Sequence, residues 1–324
     1  MKNKKKLLIA TDSFLPRWDG IARFLFETIP SLAEKYEVTV VAPAFRGRAP
    51  SFPGVSIVRI PSMKVSFGDY SPPKARSKKI RSLVNWSDLV FAQSIVPTLG
   101  GLAIYYGHKL GKPVVKFTHS IDWKLVSEAV KRGKKPSEKI AKSLTRFYNN
   151  RCDLIIYPSE NAAREFRKIG VTTYYKVVSL GVDTDKFRPA KSKSEAKKKI
   201  GIKPGKTVVG FCGRIGREKD IPTLLRAFRS LQRQDTELLI VGQGVHELEK
   251  LLIKQKNVVF RGSQNNVLPF FRAMDIYVLP SLTETSSLST MEAMSCGIPV
   301  ICTPVGKMKD YIKDMKNGMF FPAK

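Results

Sequence analysis

Histidine and cysteine are scarce here, 3 and 4 of 324 residues. Cys152, Cys212, Cys296 and Cys302 form no CxxC, and no histidine pair stands near them at metal-ligand spacing. That argues against a zinc module and against a disulfide framework. The four thiols read as small buried hydrophobes in a reducing compartment. Long apolar runs are also lacking; the longest are strand-sized, so nothing reaches the ~20 residues of a membrane-spanning helix. The amino terminus, MKNKKKLLIATDSF, has an apolar run only from Leu7 to Ala10 before Thr11 and Asp12. Such a run is too short for a secretory leader and reads as a lysine tail entering a first strand. Acidic side chains are few as well: 27 against 57 basic ones, a net charge of +30. Residues 1–186 hold 33 basic and 15 acidic side chains, and the remainder holds 24 and 12. The excess is therefore spread over both halves, and it favours polyanionic partners: nucleic acid, anionic lipid headgroups or phosphorylated substrates.

A chain of this length predicts two domains. Apolar runs of strand length recur at 7–12, 38–43, 55–60, 89–94, 114–119, 154–159 and 176–181. Helix-period segments lie between most of them, such as 21–36 and 159–170, the latter opening on Ser159 as N-cap and closing on Gly170. The stretch 189–206 is polar, lysine-rich and bracketed by Pro189 and Pro204-Gly205. It reads as a linker with one short helix, between domains of residues 1–188 and 207–324. Strand-like runs resume at 207–213, 237–242, 257–262, 275–281 and 299–304. The expected class is α/β, with two Rossmann-like domains whose parallel sheets face each other across a cleft. Ligands of such sheets bind beyond the carboxyl ends of the strands, so the loops there matter most.

In the loop after 207–213, Gly213, Arg214, Arg217 and Lys219 precede a helix starting near Ile221. Cations in a strand-to-helix turn suit a diphosphate; a solvated basic loop accounts for them equally. Further on, Glu284 lies in a loop and Glu292 in or near the start of a helix, seven residues apart. Two carboxylates can hold the hydroxyls of a sugar and a ribose, whereas one glutamate near a helix start serves the helix dipole. Gly20, just before the first helix, would permit close approach of backbone to phosphate, or simply make a turn. His119 ends a strand, the position that favours a site residue; a lone histidine is more often a structural one. Two other motifs resolve as distractors. GQGVHE at 242–247 lacks the third glycine of a dinucleotide fingerprint. Asp183-Thr184-Asp185, which spells a DxD metal motif, sits at the domain boundary and reads as a turn.

Taken together, these segments resemble glycosyltransferase family 4, a group of retaining GT-B enzymes. GRIGREK at 213–219 is similar to that family's G-R-L-x-x-E-K segment, and Glu284 to Glu292 to its E-x7-E pattern. GVDTDKFRP at 181–189 resembles its hinge, and EAMSCGIPVI at 292–301 is similar to the stretch after its second glutamate. The resemblance implies roles. Arg214 and Lys219 bind the donor diphosphate and steady the leaving group. Glu292 holds the ribose, Glu284 touches the transferred sugar, and His119 lies over that sugar near the reacting carbon. Gly20, Gly213, Ser287 and Leu288 complete the donor site. It further implies a hexose moved with retention from a UDP- or GDP-linked donor, without cofactor or metal. The family's double glycine in the first loop is Asp19-Gly20 here, and its Gly-Phe-Gly after the first glutamate is Thr285-Ser286-Ser287. The reading TETSSL is closer to a lipid-glycosylating branch.

A lipid or carbohydrate acceptor is then expected, and the basic stretches 71–84 and 124–151 favour an anionic membrane surface. In the second, Ile140, Leu144, Phe147 and Tyr148 share one helical face, with Lys139, Lys142 and Arg146 elsewhere; packing of that stripe on the sheet is the competing account. The expected location is cytoplasmic, peripheral on the inner face of the membrane. The family usually continues with more helices beyond a point like Lys324, so a truncated, catalytically impaired homologue is the chief alternative. A basic nucleic-acid-binding protein is the lesser one; without a nucleic-acid motif or aromatic–basic interleaving, no nucleic-acid partner is expected.

Overall fold

The computed structural model describes residues 4–45, 47, 51–64, 71–74, 77–93, 98–129 and 134–322. Residues 75–76 and 130–133, inside the two basic stretches, lie outside them. The chain divides into two compact units, Met1–Ser179 and Leu180–Lys324.

The first unit is a parallel sheet of β1 (Lys5–Thr11), β2 (Tyr36–Pro43), β3 (Val55–Ile60), β4 (Leu89–Gln93), β5 (Val114–Phe117), β6 (Leu154–Tyr157) and β7 (Tyr175–Val177). Its helices are α1 (Gly20–Lys35), α2 (Ser77–Trp86), α3 (Leu99–Lys109), α4 (Asp122–Ala129), α5 (Lys134–Asn149) and α6 (Glu160–Lys168). The strand order is β3-β2-β1-β4-β5-β6-β7. Residues alternate between faces along β1. Leu8 and Ala10 pack with Ile80 and Val84 of α2 and with Leu99 and Ala103 of α3, while Leu7 and Ile9 pack with Ala22, Leu25 and Ile29 of α1. Helices on both faces explain why the strands read as continuous apolar runs.

The second unit opens with α7 (Lys193–Lys199), followed by β8 (Thr207–Cys212), α8 (Ile221–Ser230), β9 (Thr236–Val241), α9 (His246–Ile253) and β10 (Val258–Phe260). Then come α10 (Leu268–Ala273), β11 (Ile276–Leu279), α11 (Leu288–Ser295), β12 (Val300–Cys302), α12 (Met308–Tyr311) and β13 (Met319–Phe320). The order is β10-β9-β8-β11-β12-β13, all parallel. In both sheets the order reverses beside the first strand, between β1 and β4 and between β8 and β11. Loops leaving those neighbours diverge and open a crevice at their carboxyl ends.

The boundary differs from the linker expected at 189–206. Phe187, Ala196, Ile200 and Ile202 belong to the second unit's core. Lys197 Nζ donates to the Lys206 carbonyl at 2.7 Å and pairs with Asp275 at 2.7 Å, fastening α7 beside the start of β11. What composition marks as polar is thus an amphipathic helix with its small apolar face turned inward. The expected apolar stripe of α5 also divides. Leu144 and Tyr148 are half-buried, whereas Ile140 and Phe147 stand 62% and 41% exposed. The four cysteines are buried and none stands in a disulfide, and burial pushes the thiols of Cys152 and Cys302 up to about 12.

Candidate functional site

The second unit's site is built from the loops after β8 and β11, neighbouring strands of one sheet. Gly213 leaves β8 at φ +155, and a Cβ on Gly242 would overlap the Gly213 carbonyl. The glycines of GQGVHE therefore let the loop after β9 press on the cation loop: Ile215 N–H donates to the Gln243 carbonyl at 3.0 Å, and Val245 N–H to the Ile215 carbonyl at 2.8 Å. No dinucleotide fingerprint is needed to explain them.

The cation loop closes in a 3-10 turn, Arg217–Lys219, and α8 begins at Ile221, as expected. Arg214 pairs with Glu218, and Lys219 Nζ pairs with Glu284, joining the loop after β8 to the loop after β11. Ser281 Oγ donates to the same Glu284 oxygen at 3.0 Å. Leu282 N–H donates to the Glu218 carbonyl at 2.7 Å. Arg214, Lys219 and Glu284, which the sequence separates by up to 70 residues, are thus one cluster. Ser287 caps α11, its hydroxyl accepting from Thr290 N–H at 3.3 Å, so Leu288 opens that helix. Glu292 lies further in than expected, in the fifth position of α11, and is buried. Ser286 Oγ is buried without a hydrogen-bond partner among the described residues.

Three residues that sequence reading missed shape this cluster. Glu218, a buried acid, holds Arg214. Tyr277 is fully buried on β11, with its hydroxyl 2.7 Å from Ser289 Oγ and 3.3 Å from the Cys212 carbonyl. It ties the end of β8 to the start of α11, and burial raises its hydroxyl well above the usual range. Gly306, at φ +62, lies so close to the Glu284 carbonyl that a Cβ would collide with it. A buried acid inside a basic motif was the available signal for the first; the other two need tertiary contact to be seen.

In the first unit, Asp12 follows β1 and accepts from Leu99 N–H at 3.0 Å and from Thr98 Oγ1, capping α3. Burial pushes its carboxyl up to about 7. Lys116 and Asp122 form a buried pair at 3.3 Å. His119 follows β5, its Nε2 bonded to Gln93 Oε1 and its ring against those of Phe24 and Phe117. Burial holds it down at about 3, so it is a neutral imidazole. The first helix takes in Gly20 as its first residue, one earlier than expected, and the amides of Ile21 and Ala22 both donate to Asp19 Oδ1 at 3.0 Å. The residue standing in place of the family's first glycine therefore occupies the helix amino terminus with a carboxylate. Asp183 Oδ1 accepts from the amides of Asp185 and Lys186 at 3.0 Å each, the turn expected there.

Residues 206–324 match the family model for glycosyl transferases group 1, and residues 18–186 match that for glycosyltransferase family 4. The GDP-mannose-dependent alpha-mannosyltransferase of Mycolicibacterium smegmatis is 27% identical over 324 residues, covering 97% of this chain and 84% of that protein. The same organism's GDP-mannose-dependent alpha-(1-6)-phosphatidylinositol monomannoside mannosyltransferase is 26% identical over 343 residues, covering 96% and 84%. Among solved structures, sucrose-phosphate synthase from Thermosynechococcus elongatus superposes with a TM-score of 0.76 at 18% identity, over 98% of this chain and 86% of that one. That likeness gives the GT-B fold. With a cation loop and an acidic loop joined at the reversal of the second sheet, and with both units matched in turn, the chain belongs to glycosyltransferase family 4, enzymes that move sugar from a nucleotide donor.

Proposed function

We propose that the protein transfers a hexose from a GDP- or UDP-linked donor to a lipid acceptor, with retention of configuration. The observation that carries this is the meeting of Arg214, Lys219 and Glu284 at the carboxyl ends of β8 and β11. Arg214 and Lys219 neutralise the diphosphate, most of all as the bond from sugar carbon to phosphate oxygen breaks and negative charge gathers there. Two fixed cations supply this, so the reaction runs without metal. Glu284, beside Lys219, takes a sugar hydroxyl and Glu292 the ribose. Ser287 and Leu288 bring the start of α11 to the phosphates, and Gly213 and Gly20 let backbone approach them. His119, neutral and held by Gln93, sits by the sugar. The acceptor hydroxyl attacks from the face that the diphosphate leaves, and its proton passes to the departing phosphate. Catalysis is then mainly positioning and charge relief.

Two things support a lipid acceptor at an anionic membrane. One relative is named for a phosphatidylinositol monomannoside. The helix layer opposite α1 is basic outside: Lys78, Lys79 and Arg81 on α2, and Lys135, Lys139 and Arg146 on α5, are exposed beside Ile140 and Phe147. Among the described residues no helix is long and apolar enough to cross a membrane, and this face would lie on it from the cytoplasmic side. Sedimentation with phosphatidylglycerol vesicles at low salt, and not with phosphatidylcholine ones, is expected; failure to bind either ends the membrane reading.

The donor reading is tested by thermal shift with GDP, UDP and their hexose conjugates. At 100 times its dissociation constant a ligand stabilises by about 2.7 kcal/mol. The shift is expected with one base and is lost in the double variant Arg214→Ala, Lys219→Ala. A shift that survives both changes places the nucleotide elsewhere and overturns the assignment.

A further inference from the structure

We propose that Glu218 is the positioning residue of the donor site: it orients the Arg214 guanidinium and locks the cation loop to the loop that carries Glu284. The proposal rests on the donor reading above and adds to it a residue that would touch no part of the donor.

Three observations converge on it. Glu218 is an acid only 6% exposed, and its carboxylate pairs with Arg214. Its carbonyl accepts from Leu282 N–H at 2.7 Å, two residues before Glu284, so one residue fixes both loops. Space for the carboxylate is reserved at Gly216, where a Cβ would overlap both carboxylate oxygens. A buried carboxylate is costly unless paired, and here its partner is a cation that a diphosphate needs. A guanidinium is planar and grips phosphate along fixed directions, so its orientation matters as much as its charge.

The sign of the effect separates this role from a bland one. A carboxylate beside a phosphate-binding cation weakens anion binding by charge alone, so removing it would tighten binding. If Glu218 instead orients Arg214, removing it leaves the guanidinium to wander, and binding weakens.

The experiment is calorimetric titration of GDP and UDP into the full chain and its variants, together with nitrogen-15 NMR of the Arg214 guanidinium, assigned by Arg214→Lys. Glu218→Ala is expected to weaken the nucleotide about tenfold, the worth of one charge-assisted hydrogen bond. Glu218→Gln, which keeps an oxygen acceptor in place, should recover part of that loss. Gly216→Ala, which pushes the carboxylate aside without deleting it, should resemble Glu218→Ala. In the Arg214→Ala background, Glu218→Ala should cost nothing further, since the effect runs through the arginine. Rotation about the Arg214 guanidinium should be hindered in the wild type and free in Glu218→Ala. Binding that is unchanged or tighter in Glu218→Ala overturns the proposal, as does a loss that adds to that of Arg214→Ala. If neither nucleotide binds the wild type, the donor reading fails by itself; the NMR arm still decides, and free rotation in the wild type rejects the positioning role.

Discussion

The two units place their charges at the same end of the same kind of sheet and treat them in opposite ways. In the second unit, Arg214 and Glu218 have side chains 23% and 8% exposed, and Lys219 and Glu284 17% and 12%. In the first, Lys116 and Asp122 are 0% and 3% exposed. Asp12 is spent on capping α3 and Asp19 on capping α1. Charges that reach solvent can exchange a protein partner for a ligand, whereas sealed ones hold the scaffold. One unit thus leaves its paired charges within reach of solvent, and the other uses them to fix loops around a neutral histidine.

The largest effect expected from this contrast is on folding. Lys116→Ala strands the Asp122 carboxylate in the interior and should cost about 3–5 kcal/mol, read from urea unfolding. Lys219→Ala, at a wetter pair, should cost less stability while abolishing nucleotide binding. Equal losses of stability would erase the distinction between sealed and solvent-reaching charges.

A second effect, of a few kcal/mol, lies in the pH dependence of the first unit. Asp12 is raised from 3.8 to about 7. The folded state therefore holds its proton more tightly, and the stability this contributes is full in acid and lost as pH rises through about 7. His119 is lowered from 6.5 to about 3. Its contribution is full above 6.5 and lost as pH falls toward 3. Burial raises Asp122 as well, in the same sense as Asp12. Between about pH 4 and pH 6.5 the Asp12 carboxyl and the imidazole oppose each other, each with a slope of about 1.4 kcal/mol per unit. Asp12→Asn should make unfolding easier toward acid, and His119→Phe should make it harder. Denaturation midpoints across that range check this, and parallel curves for the two variants would contradict it.

A third effect concerns the acidic loop. At Gly306, φ +62 already disfavours a side chain, and a Cβ would press on the Glu284 carbonyl. Gly306→Ala should displace that loop, and a displacement near 1 Å costs turnover on the order of 10²-fold. Initial rates with the donor that the binding assay selects check this; wild-type turnover would show that the loop position is not critical.

The same contrast explains how much was legible from sequence. The strands were, because sheets covered on both faces need unbroken apolar runs; Val55–Ile60 lies where the run placed it. The placement of Arg214, Lys219, Glu284 and Ser287 in the loops after β8 and β11 was legible because the strands before them were. The membership of α7 in the second unit was hidden, because its lysines mask a small apolar face. Glu218, Tyr277 and Gly306 act through residues distant in sequence, and spacing cannot show that. Asp19 was legible as a departure from the family's glycine, but its capping of α1 is visible only in the structure.

The smallest effect sharpens the comparison most. Gly20 opens α1 with no positive φ, and a Cβ there would meet nothing within 4 Å. Gly20→Ala should therefore leave stability unchanged or raise it by up to about 1 kcal/mol, since alanine loses less entropy on folding. If Gly20 is there to let a phosphate approach the backbone, the same change should weaken donor binding several-fold, with melting temperature held or raised. Opposite signs for stability and affinity would make Gly20 a residue that the donor needs. Unchanged affinity would mean that Asp19, seated on the amides of Ile21 and Ala22, already keeps the phosphate away, leaving its binding to Arg214 and Lys219.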